Sequence, residues 1–153
     1  MKLPNKFTTL AKQLWPLNRS LTGDGVKQTF NLLKKYNKSL KIIKFRSGSK
    51  VFDWKIPLEW KVSEAWIKDM NGKDLINFKN NNLHLVGYSS YINKTFKFKD
   101  LKKNLHIQKS QPTAIPYVTS YYKKNWGFCL NHKDYDNLKK NKKVKVFINS
   151  SFK

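Results

Sequence analysis

Leu14-Trp15-Pro16-Leu17-Asn18-Arg19-Ser20-Leu21-Thr22-Gly23-Asp24-Gly25-Val26 is the stretch on which the reading of this chain turns. Upstream, Phe7, Leu10, Ala11 and Leu14 recur at the spacing of one helical face. Pro16 lacks a backbone N–H and disfavours the helical region for the residue before it, so a first helix stops near Leu14 or Trp15. Downstream, Val26, Thr29, Phe30 and Leu33 mark a second helical face. Thr22 or Asp24 is placed to cap it, while Gly23 and Gly25 permit a turn that a Cβ would strain. A corner carrying Arg19 and Asp24 at a helix N-terminus can receive a carboxylate or phosphate. Its simpler reading is that Arg19 and Asp24 pair and cap to hold two helices at an angle.

With 153 residues, 39% apolar and 14% aromatic, the chain can build a core and is not disordered in composition. Its net charge of +23 points first to nucleic acid or an anionic surface. Of the 32 basic residues, however, only Arg19 and Arg46 are arginine, the side chain suited to bidentate phosphate recognition. Lysines are spread along the chain, and runs such as Asn80-Asn81-Asn82 suggest A/T-rich coding rather than a dedicated site. No apolar run reaches the roughly 20 residues of a membrane span or forms a signal peptide, so the expectation is a cytoplasmic protein without membrane contact. The single Cys129 excludes an internal disulfide.

From residue 40 the pattern turns to β. Residues 40–45 predict a short strand, 47–49 a turn, and 51–54 an extended piece. A strand over 59–69 is followed by Asn71-Gly72, a pair that tolerates positive φ and marks a hairpin. Residues 75–78 and 83–88 then complete an expected three-stranded meander. Lysines alternating with Phe96 and Phe98 fit an edge strand over 94–99, and Asp100 is placed to cap a short helix to about residue 107. Residues 126–130 are a further strand candidate, Asn131 caps a helix to about 140, and Val144, Val146 and Ile148 alternate as a last strand. The chain ends abruptly after that strand.

No catalytic constellation emerges. His84, His106 and His132 lack partners at zinc-ligand spacing, and Cys129 beside His132 is half a site. Cys129, between Phe128 and Leu130, reads as a buried small hydrophobe. Trp54, Trp60 and Trp66 read as core. Tyr117, Tyr121, Tyr122 and Trp126 are the better candidates for an exposed contact surface, since each joins an apolar body to a polar tip.

Four blocks resemble a family: Leu14 to Gly25; Lys50-Val-Phe-Asp-Trp54 with Pro57 to Trp60; Asn82-Leu-His-Leu-Val-Gly-Tyr88; and Ala114 to Tyr122 with Trp126-Gly-Phe-Cys-Leu130. Together they resemble the N-terminal third of the bacterial aminopeptidase-like proteins once known only by a domain of unknown function. The resemblance implies an α+β chain: an N-terminal helix pair (residues 1–40) from a zinc-exopeptidase-like α/β domain, then a small β-rich inserted domain (41–153). A winged helix would follow at the far end of full-length members. The family's metal ligands are expected C-terminal to this sequence, so zinc is expected in full-length relatives and none in this chain. The implied function is that of an N-terminal fragment of a metal-dependent aminopeptidase-like hydrolase acting on a peptide or amide, with the missing C-terminal portion as its partner. Some members are linked with surface-polysaccharide genes. Arg19, Asp24, Tyr121, Tyr122 and Trp126 are the candidate substrate-facing residues. Without the rest of the fold, self-association through Phe7, Leu10, Phe30 and Leu33 is expected. The alternative is a small basic non-enzymatic module that binds nucleic acid or an acidic glycan.

The charge argument has a direct check. Affinity for random duplex DNA near physiological salt is expected no tighter than the ordinary non-specific range, about 10⁻⁴ to 10⁻⁶ M, and a gel-shift titration measures it.

Overall fold

The computed structural model describes residues 5–153, which divide into two compact units: the chain up to Trp60 together with Lys153, and residues 61–152. In the first unit, α1 (Asn5–Leu14) and α2 (Asp24–Tyr36) flank the corner read from Pro16 and the glycines. Gly23 is the N-cap, at φ 100°, and a Cβ there would lie 2.7 Å from the Trp60 carbonyl. A Cβ on Gly25 would collide with the Asn18 carbonyl. Both glycines are therefore required by close backbone approach.

The N-cap is thus a glycine, with no side chain of its own to cap with, and Thr22 Oγ1 accepts from the Trp60 backbone N–H at 3.2 Å. Asp24 is the first helical residue, where its charge complements the helix dipole, and its carboxylate lies 3.6 Å from Lys27 Nζ. Lys27 also donates to Glu59 at 2.9 Å, a bond that raises its pKa.

Residues 40–45, expected as a strand, form no regular element, and Ile43 and Phe45 are exposed. Without a neighbouring strand or a covering layer, alternation alone does not make a ladder. The extended piece expected at 51–54 is a tight hairpin of β1 (Lys50–Val51) and β2 (Trp54–Lys55), turned by Phe52 at φ 51°.

The second unit is built on a four-stranded sheet in the order β4-β3-β8-β5, where β3 is Trp60–Lys68, β4 Asp74–Asn77, β5 Ile92–Lys97 and β8 Lys143–Phe152. The β3–β4 hairpin turns at Asn71-Gly72, with Gly72 at φ 89°, and a register shift between Ile67 and Lys68. Val144, Val146 and Ile148 of β8 point into the core, as their alternation requires. On the opposite face Phe147 meets Trp66, ring centroids 5.2 Å apart.

The core is closed by Leu101 of α3 (Phe98–Leu101), by Leu138 of α4 (His132–Lys139), and by the parallel pair β6 (Leu105–His106) and β7 (Phe128–Cys129). Asn131 caps α4 by accepting from Asp134 N at 2.8 Å, as the sequence led us to expect. Asp100 lies inside α3 rather than capping it, and residues 102–104 continue as a 3₁₀ turn.

The third meander strand is absent. Residues 82–84 form a 3₁₀ turn capped by Asn81, and Tyr88 sits at φ 64°, which no regular ladder accommodates. Residues 84–90 are all buried, so their polar backbone must be paired by other means. Val86 N donates to Gly127 O, Gly87 exchanges bonds with Val118 and Ser120, and Ser90 N donates to Asn125 O, all at 2.8–3.1 Å. Ser89 Oγ donates to Val86 O at 2.7 Å and accepts from Gly127 N at 3.2 Å, while Ser150 Oγ donates to Ser89 O at 2.7 Å. Gly127 must stay a glycine, because a Cβ would stand 2.8 Å from the Asn104 carbonyl.

Ser89→Ala strands the Gly127 N–H in the core, so urea denaturation is expected to show a loss of about 1–3 kcal/mol. Ser63→Ala, whose exposed hydroxyl makes a 3.4 Å bond, is expected to change stability by less than about 0.5 kcal/mol.

Candidate functional site

An open concavity within the second unit has a volume of about 640 Å³. Its floor follows from strand periodicity: Ile92, Lys94 and Phe96 are alternate residues of β5 and share one face. One wall comes from the 3₁₀ turn, which contributes Lys103 and Asn104. The other is the loop bearing Lys124, Asn125 and Trp126, with Ser90 and Tyr91 at the end of the buried segment. Asn104 Nδ2 donates to Trp126 O at 2.7 Å, and Ser90 Oγ donates to Asn125 O at 2.9 Å, so buried polar side chains tie the loop down.

Trp126 packs against Phe96 with centroids 5.3 Å apart and ring planes 42° from parallel. Lys94 Nζ stands 5.6 Å from the centroid of the same Phe96 ring. No aspartate or glutamate lines the groove, and Lys94, Lys103 and Lys124 have no carboxylate partner among the described residues. The site is a cationic, partly aromatic cleft.

The candidate residues from the sequence fall in both units. Arg19 and Asp24 are exposed on the helical corner of the first. In the second, Tyr121 is half-buried edge-on to Tyr88 at 4.9 Å, and Tyr122, 80% exposed, meets Tyr121 at 6.3 Å. Tyr117 joins them: its hydrogen bond to Tyr121, and then its burial, push its phenol up to about 12. Trp126 packs on Phe96 and lines the groove. Of the residues lining this groove, the sequence singled out Trp126 but not Lys94, Lys103 or Lys124, because nothing local separates a groove lysine from the many others. Phe96 was legible as an edge-strand residue, but not as a ring beneath Trp126.

The nucleophile and metal candidates resolve structurally. Cys129 is fully buried, and desolvation pushes its thiol up to about 12, so it offers no thiolate at neutral pH. Its carbonyl accepts from His84 Nδ1 at 2.9 Å, which fixes that proton on the buried imidazole. Burial lowers the pKa of His106, which lies in β6 rather than at a helix end. Among the described residues no three His, Cys, Asp or Glu side chains converge. Of the three tryptophans read as core, Trp60 is buried, Trp66 half-buried and Trp54 exposed. No helix of the described residues is long and apolar enough to cross a membrane.

Comparison with known proteins shows the family of the chain. The family model described as "Domain of unknown function (DUF2172)" matches residues 59–151, nearly the extent of the second unit. The chain belongs to that family. It is 43% identical over 129 residues to a Clostridium acetobutylicum protein named "Putative polysaccharide biosynthesis protein with aminopeptidase-like domain"; the match covers 84% of this chain and 30% of that one. A crystal structure of a "putative peptidase" from Clostridium acetobutylicum superposes with a TM-score of 0.90 at 40% identity. That superposition covers 97% of this chain and 35% of the other. The chain thus spans about a third of the length of each relative, and its mixed helix-and-sheet fold is shared with a peptidase-like structure.

Burial of Cys129 is expected to block thiol labelling by a disulfide reagent at pH 8 in the folded chain, with full labelling in guanidinium. An unfolded thiol ionises near 9, whereas the buried Cys129 holds its proton to about 12. The stability this group contributes is therefore complete below about pH 9 and declines towards pH 12, which alkaline denaturation curves will show.

Proposed function

We propose that this chain is the N-terminal part of an aminopeptidase-like hydrolase, supplying scaffold and cleft-facing surface while metal and catalytic groups reside in polypeptide outside it. The reaction of the assembled protein is metal-dependent removal of an N-terminal residue, or hydrolysis of a related amide. The names borne by the two Clostridium relatives support the peptidase-like class, and one of them supports a setting in polysaccharide synthesis. Arg19, Asp24, Tyr121, Tyr122 and Trp126 remain the residues we assign to the substrate side.

The observation that carries the proposal is the bareness of the first unit. Among residues 5–59 only Gly23 is buried, and neither α1 nor α2 buries a side chain. Trp15 and Ile43 are 72% and 76% exposed, and Phe52 is 91% exposed. Amphipathic helices draw most of their stability from a covered apolar face. So much exposed apolar surface fits a segment that docks on further polypeptide, and the greater length of the relatives makes such polypeptide available.

A second reading, a basic module binding nucleic acid or an acidic glycan, draws on one observation: the lysine-lined groove. A single chain can satisfy both readings, since the groove lies in the second unit and the bare helices in the first.

The purified 153-residue chain is expected to show no turnover of aminoacyl-nitroanilides, with or without added zinc, and to associate in size-exclusion chromatography. Replacing Phe7, Leu10, Phe30 and Leu33 by serine is expected to suppress the association. Turnover by the chain alone would overturn the proposal.

A further inference from the structure

We infer that the groove between β5, the 3₁₀ turn at Lys102–Asn104 and the Trp126 loop is a binding site for an acidic saccharide. The inference rests on the binding-module reading for its location and is independent of the peptidase reading. Its volume of about 640 Å³ falls within the roughly 300–1,000 Å³ of small-molecule clefts. Three features select the ligand.

The first is charge. Lys94, Lys103 and Lys124 converge on a groove with no acidic lining residue, so an anionic ligand enters against no carboxylate. Lysine ammonium groups act as compact, rotatable point charges, suited to carboxylates or sulfates spaced along a flexible ligand.

The second is the aromatic surface. Trp126 and Phe96 pack on each other and form one platform rather than a series. Tyr91 stands nearby, 57% exposed. A sugar ring presents an apolar C–H face that fits one such platform, with hydroxyls at its edge. Single-stranded nucleic acid grooves instead stack successive bases on successive rings.

The third is the polar rim. The Asn125 backbone carbonyl is held by Ser90, while its side chain is exposed and, among the described residues, makes no hydrogen bond. An amide of that kind both donates and accepts, as sugar hydroxyls require. Asn104 lies in the wall with Nδ2 committed to Trp126, so ligand contact and loop position are linked through it.

The test is calorimetric titration of the 153-residue chain with trigalacturonate and with a heparin-derived tetrasaccharide, using maltotriose as the neutral control. Saturable binding of at least one acidic probe, with none of maltotriose, is expected. Lys103→Gln combined with Lys124→Gln is expected to weaken it about tenfold or more, and Tyr91→Ala several-fold, with melting temperatures held within about 2 °C. Lys73→Gln combined with Lys79→Gln, equal in charge change but flanking β4 at the opposite edge of the sheet from β5, is expected to leave affinity within about twofold. Equal loss in both lysine pairs, binding of maltotriose as tight as the acidic probes, tighter binding of oligo(dT), or no binding of either acidic probe would each overturn the assignment. No peptide substrate or metal enters the assay, so its failure and the failure of the peptidase reading are separately visible.

Discussion

The second unit depends on satisfying the backbone of residues 84–90, a stretch buried throughout and yet outside any sheet ladder. Burying peptide groups without hydrogen bonds is costly, so whatever surrounds such a segment must supply donors and acceptors at fixed positions. Here the supply comes from residues 118–120 and 125–127 and from two serine hydroxyls, Ser89 and Ser150, while Ser90 Oγ returns a bond to the Asn125 carbonyl. Gly127 lets two backbones approach where a methyl group would not fit. Because Asn125 and Trp126 are held by this same network, the groove wall is set by the hydrogen-bonding needs of the core beneath it. Core and site share one set of bonds.

That dependence explains what was and was not legible in the sequence. Elements set by local chemistry were readable: the helix stop before Pro16, the Asn71-Gly72 turn, the Asn131 cap and the alternation of Val144, Val146 and Ile148. Elements set by distant partners were not. Residues 83–88 carry apolar side chains in a strand-like order, but their neighbours lie some 30 to 40 residues further along, and Tyr88 takes a positive φ that no pattern announces. Residues 40–45 show the converse case, apolar alternation with no ladder to join. The site followed the same division. Trp126 stood out by residue type, whereas its lysines became distinguishable only once β5 and the 3₁₀ turn were brought beside it.

The two units also differ in how they use apolar side chains. Every buried hydrophobic residue of the described chain lies at Trp60 or beyond, while the helices and hairpin before it keep theirs on the surface. The family match begins at residue 59, at the same point. The family match and the change in packing thus begin together near Trp60.

The sheet of the second unit ends on one side at β4, four residues long, and on the other at β5, where Lys94 and Lys97 punctuate the outer strand. Short or lysine-bearing margins are poor templates for adding strands from another molecule. A strand arriving from another molecule therefore finds no long, uncharged edge on this sheet to extend.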